Sequence, residues 1–208
     1  ITEGAYNVAV GDNALTSNTT ADNNTAVGAG ALLANTTATD NTSVGYNSLT
    51  ACTTGAGNTA VGAIALDAIT TSSDNTAVGH QALTNASSGA GNTALGKGTM
   101  TAVVTGSNNT AVGRYALNAN TSASNNVAVG INALVANTTG ANNTAVGGET
   151  LAATTTGGNN TAVGYAALAA NTTAIQNTAF GRIALTACTT GASNAALGGN
   201  AGGANTTG

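Results

Sequence analysis

Charge and aromatic side chains are scarce: only 5% of the 208 residues are charged, 2% are aromatic, and proline is absent. That composition excludes the one or two ordinary domains that the length alone would suggest. Lys97, Arg114 and Arg182 are the only basic residues apart from His80, and the net charge is −4. So few cations cannot neutralise a phosphate backbone, and no nucleic-acid partner is expected. No run of about 20 apolar residues occurs, which excludes a membrane-spanning helix and membrane insertion of that kind. His80 is the sole histidine, and no grouping of Ser, His and acid recurs, so no catalytic residue is expected. The five Asp residues follow no GGxGxD frame, so neither a metal site nor a cofactor is expected.

What is present is a repeat. An Asn recurs every 17 residues, at Asn7, Asn24, Asn41, Asn58, Asn75, Asn92, Asn109, Asn126, Asn143, Asn160, Asn177 and Asn194. Disorder is excluded, because each position of the repeat keeps its own chemistry whereas disordered chains drift. Residues 1–208 read as a single array: 1–6 end a preceding repeat, 7–193 are eleven full repeats, and 194–208 are a partial one. Neither end looks capped, so both are expected to abut more protein. A constant step without insertions predicts an all-β parallel β-solenoid of about twelve coils, one per repeat. At the spacing of β-strands the array would measure on the order of 55 Å. Cys52 and Cys188, eight repeats apart, would then be separated by nearly ~40 Å, too far for a disulfide.

Counting positions from each Asn, the repeat-defining residues are Asn at position 1 and Gly at position 5. Asn24 and Gly28, Asn58 and Gly62, Asn109 and Gly113, and Asn160 and Gly164 are examples. Gly at position 5 predicts a positive φ or a close backbone approach. Positions 4 and 9 are the expected core: Val27 and Leu32, Val61 and Leu66, Val112 and Leu117, Val163 and Leu168. Period-two alternation places the Thr of position 2 on the same inward face as position 4. The Ala of position 3 would then press outward against a neighbouring chain. Strands are expected over positions 2 to 5 and 8 to 14, because Thr, Asn, Gly and Val are poor helix formers. Position 12 accepts Asn, Cys, Ile and Val, so it is expected inside, with Asn side chains hydrogen-bonded up and down the array. One Val and one Leu per repeat do not offset the ordering of 17 residues, so a homo-oligomer is expected.

Variable residues gather at positions 6 and 7, where Tyr46, Arg114, Tyr115, Tyr165 and Arg182 are the candidate contacts for a receptor or cell-surface glycan. Sequons ending four repeats make Asn23, Asn108, Asn142 and Asn159 candidate glycosylation sites. O-linked sugars are also compatible with the Thr at positions 13 and 14.

At NTAVG, and most closely at NVAVG (Asn7 to Gly11 and Asn126 to Gly130), the repeat resembles the SVAIG-type repeat of trimeric autotransporter adhesin heads, the YadA-like left-handed parallel β-roll. It is also similar to NTAVGxxALxxNTTG arrays of phage tail-fibre and related surface-fibre proteins. The seventeen-residue repeat is longer than that of the adhesin head. The resemblance implies a left-handed, homotrimeric fibre, extracellular, on a virion or bacterial surface, and serving attachment. Two other functions fit the repeat. One is a secreted, glycosylated filament stacked end to end with no receptor role. The other is ice binding through a Thr array, which requires that array to face outward.

Overall fold

The computed structural model describes residues 4–103 and 105–207. The outermost residues of the array as read from sequence, Ile1, Thr2, Glu3 and Gly208, lie outside them. The chain forms two compact units, 1–105 and 106–208. Each is an all-β parallel β-solenoid, and no helix occurs among the described residues. Among the described residues no helix is therefore long and apolar enough to cross a membrane.

In the first unit the strands are β1 (Val8–Val10), β2 (Thr25–Val27), β3 (Thr42–Val44), β4 (Thr59–Val61), β5 (Thr76–Val78) and β6 (Thr93–Leu95). In the second they are β7 (Thr110–Val112), β8 (Val127–Val129), β9 (Thr144–Val146), β10 (Thr161–Val163), β11 (Thr178–Phe180) and β12 (Ala195–Leu197). Within each unit consecutive strands are parallel neighbours in register 17, as Thr59 with Thr76 and Thr161 with Thr178. Equivalent residues of successive repeats therefore lie side by side.

Each repeat contributes one strand, over positions 2 to 4, not the two expected. Positions 6 to 11 are turns. The cause is backbone sign: positions 7 and 9 carry positive φ, as at Ile64 (59°) and Leu66 (52°), which curls the chain where an extended limb was expected. Hydrogen bonding between coils continues through the turns all the same. Leu66 N donates to Ala82 O at 3.1 Å, Thr53 N to Thr70 O at 2.9 Å and Asp74 N to Ala56 O at 3.1 Å.

The strand faces are reversed from the expected arrangement. Position 3 is inside: Ala26, Ala60, Ala111 and Ala162 are fully buried. Val27, Val112 and Val163 are only half-buried, and Val61 is exposed, so position 4 does not belong to the core. Leu32, Leu66, Leu117 and Leu168 do lie inside, at 0% exposure. Ser43, the one departure from Ala at position 3, shows why the inward column stays small. Its Oγ donates to the carbonyl of Ser48 at 2.8 Å, directly across the coil. With position 8 that close and Leu filling the rest, only a methyl-sized side chain fits, and the branched Val turns outward.

Asn at position 1 supplies the polar spine. Its Oδ1 accepts the backbone N–H of the next position 1, as Asn58 N to Asn41 Oδ1 at 2.9 Å and Asn143 N to Asn126 Oδ1 at 2.9 Å. Its Nδ2 donates to the carbonyl at position 15 of its own coil, as Asn143 to Gly157 at 2.9 Å. The Asn of position 12 is buried as expected, but it bonds within its own coil rather than along the array. Asn120 Nδ2 reaches Ala123 O, and Asn120 Oδ1 accepts Ala123 N, both at 3.0 Å. Cys52 stands in this column, and its Sγ donates to Gly55 O at 3.2 Å. Both expected reasons for Gly at position 5 hold together: Gly62 has φ +132°, and a Cβ there would sit 2.7 Å from the carbonyl carbon of Gly79.

Candidate functional surface

With Ala turned inward, the outer face of each sheet is made by positions 2 and 4, a rank of Thr beside a rank of Val. No charged residue occupies either position. The face shows its apolar groups to solvent: Val61 is 36% exposed and Leu95 45% in the first unit, Phe180 53% in the second. At the far strands of the second unit it forms an open apolar hollow of about 350 Å³, lined by Thr178, Phe180, Ala195, Ala196 and Leu197. Sequence reasoning missed this face because Val at position 4 reads as core. The signal that could have found it is the constancy of position 3, since the column that tolerates nothing larger than Ala or Ser is the confined one.

The expected contact residues lie at the corner that follows the strand. Tyr46, in the first unit, and Tyr165, in the second, project at 59% and 54% exposure. Arg114 is exposed, and its guanidinium lies 4.6 Å from the ring centroid of half-buried Tyr115, a cation–π contact that holds the pair together. Arg182 is exposed one coil on from Tyr165. Between Ile131 and Tyr165 the corner column has Gly148, where a Cβ would meet both neighbours' side chains.

Asn23, Asn108, Asn142 and Asn159 are exposed at a turn with φ of 57 to 60°. Neighbouring side chains of this column link weakly, Asn142 Nδ2 to Asn159 Oδ1 at 3.3 Å. The sequons at Asn18, Asn35, Asn120, Asn137 and Asn171, all at position 12, have their Asn buried and bonded on both amide atoms, as at Asn120, which leaves no nitrogen for a sugar.

Burial pushes the Cys52 thiol up to about 11. Burial also raises the Asp67 carboxyl, against the opposing effect of the backbone amides of Asp67 and Ala68. Asp67 Oδ1 is buried with no hydrogen-bond partner. No group of three or more His, Cys, Asp or Glu among the described residues comes together to hold a metal ion. Comparison with family models, with curated proteins and with solved structures finds no match for the chain.

Proposed function

We propose that the chain is a structural module of an extracellular fibre, a shaft or head segment that holds distance and presents a repetitive surface. Copies associate side by side, as a left-handed homotrimer, through the Thr and Val ranks of positions 2 and 4. The observation that carries this reading is the uncharged Val rank, which faces outward and is half-buried or exposed in coil after coil. An apolar strip of that regularity favours a partner with the same period, and a second copy has it. The contact cannot use the Ala rank, which is already buried within each coil. Trimer number, handedness and a virion or bacterial surface rest on the resemblance to adhesin heads and tail fibres. Arg114 with Tyr115, Tyr165 and Arg182 are the proposed contacts for a surface glycan or receptor.

Multi-angle light scattering tests the association. The chain is expected as an oligomer at micromolar concentration, and Val61→Lys with Val146→Lys is expected to give monomers with an unchanged far-ultraviolet spectrum. A wild-type monomer, or oligomers that persist in the double variant, would refute the interface. One observation favours a second reading: the Thr of position 2 faces outward, as ice binding requires. Thermal hysteresis at millimolar protein discriminates the two, since a fibre module has none.

A further inference from the structure

The repeat contains two adjacent hydroxyl columns, and the structure gives them different roles. At position 13 the hydroxyl is spent on the fold. Thr19, Thr36 and Thr53 donate Oγ1 to the position-13 carbonyl of the next coil at 2.9, 3.2 and 3.1 Å. Thr138, Thr155 and Thr172 do the same in the second unit at 3.0, 3.2 and 3.3 Å. At position 14 the side chains are exposed in every described coil, and the hydroxyls of Thr20, Thr37, Thr54 and Thr71 donate to no protein carbonyl. Their backbones are nonetheless fixed, as Thr37 N to Thr53 O at 3.4 Å and Thr54 N to Thr70 O at 3.2 Å show.

An exposed column without an internal task should drift, as the corner position 6 does. It accepts Asp12, His80, Lys97, Arg114, Ile131 and Tyr165, all exposed. Position 14 does not drift: it is Thr throughout except Ser88 and Ser122. Those replacements discard the methyl and keep the hydroxyl. Position 13, whose hydroxyl has a structural use, even admits Val104. At Thr37, Thr54, Thr71, Thr139, Thr156 and Thr173 no hydrogen bond of the fold uses the oxygen, so a requirement for it there is a requirement of chemistry performed on that oxygen. An ice or apolar contact would instead select the methyl.

We infer that position 14 is a column of O-glycosylation sites, with Thr37, Thr54, Thr71, Thr139, Thr156 and Thr173 as acceptors. The co-reactant is a nucleotide-activated sugar delivered by a glycosyltransferase. The hydroxyl oxygen bonds to the anomeric carbon, and the bond from that carbon to the phosphate breaks. The nucleoside diphosphate leaves with the electron pair, and the hydroxyl proton passes to a base of the transferase; nothing is oxidised or reduced. Phosphorylation of the same hydroxyls is disfavoured by physics. Each phosphoryl group adds about −1.5 to −2 charges, neighbouring coils are about 4.8 Å apart, and the chain offers only three Lys and Arg in compensation. A neutral sugar carries no such repulsion.

Electron-transfer fragmentation of peptides from native material tests this, whichever function the solenoid serves. Sugar-sized increments are expected on Thr37, Thr54, Thr71, Thr139, Thr156 and Thr173, with none on Thr36, Thr155 or buried Asn35. In the native host, Thr54→Val should lose the increment on its own coil and Thr54→Ser should keep it, both with an unchanged far-ultraviolet spectrum. Bare peptide masses at position 14, phosphate increments there, or sugars confined to position 13 or 17 would overturn the inference.

Discussion

Replacing Asn143 with Ala removes one rung of the polar spine and leaves the apolar core untouched. The Asn143 side chain accepts from Asn160 N at 3.0 Å and from Asn160 Nδ2 at 3.1 Å, and donates to Gly157 O at 2.9 Å. Both Asn143 and Asn160 are fully buried, so water cannot replace what is lost. Asn160 Nδ2 keeps its bond to Ala174 O at 2.9 Å. The variant therefore strands two backbone groups, the Asn160 N–H and the Gly157 carbonyl. At about 1–3 kcal/mol for each orphan, the expected destabilisation is about 2–6 kcal/mol. Asn143→Asp should be no better, since it retains the acceptor but sets a buried carboxylate oxygen against the Gly157 carbonyl. The control is the adjacent exposed residue. Asn142 has φ +60° and two weak, exposed side-chain bonds, donating to Asn159 Oδ1 and accepting from Asn125 Nδ2, both at 3.3 Å, and Asn142→Gly should stay within about 0.5 kcal/mol of wild type. Denaturant unfolding measures the difference, and amide exchange at Asn160 localises it. Asn143→Ala within 0.5 kcal/mol of wild type, or Asn142→Gly equally damaging, would refute the assignment of position 1 as the spine.

Ala60→Leu should destabilise the chain by about 1–3 kcal/mol or more through overpacking, while Val61→Leu, one residue on and facing out, should change stability by under about 0.5 kcal/mol; paired denaturation curves check the contrast. The Cys52 thiol should resist alkylation at pH 8 in the native state and react as the protein unfolds, because it is buried and its pKa is raised from 9.0 to about 11. Since the fold favours the neutral thiol, that stabilisation is present below about pH 9 and is lost as pH rises toward about 11. For Asp67 the fold again favours the neutral form, so its contribution is present below the ordinary value of 3.8 and lost as pH rises through the raised one. Asp67→Thr, which matches Thr50 and Thr84 on the neighbouring coils, should therefore stabilise by up to about 1 kcal/mol at pH 7, and by less at pH 3, in thermal unfolding.

The seventeen-residue period made the solenoid legible, because an unbroken spacing admits only one geometric step per repeat. Gly at position 5 and the Asn, Asp and Gly residues at position 17 also announced their backbones, since these residue types tolerate positive φ. Leu at position 9 announced nothing of the kind. Bulky side chains rarely adopt positive φ, yet Leu66 and Leu168 do so at 52° and 51° while fully buried. That hidden sign is why a second strand was expected where the chain turns. The faces of the strand were misread for a different reason. Hydrophobicity ranks Val above Ala for the interior, but the space beside position 8 decides, and it admits only Ala or Ser. The candidate contacts at Tyr46, Arg114, Tyr115, Tyr165 and Arg182 were legible as a variable corner. The outward Thr and Val ranks, and the division of labour between positions 13 and 14, became legible only once the turns were in place.

Spin labels on one exposed column test the central geometric claim most directly. Thr20→Cys is paired in turn with Thr37→Cys, Thr54→Cys and Thr71→Cys, and each pair is diluted in unlabelled protein; Cys52 and Cys188 are buried and take no label. If each repeat makes one coil, the backbone separation grows by about 4.8 Å per repeat, and dipolar broadening falls from the first pair to the second and again to the third. Broadening that is absent in the first pair, or that does not decline from pair to pair, would contradict the solenoid and the fibre module built on it.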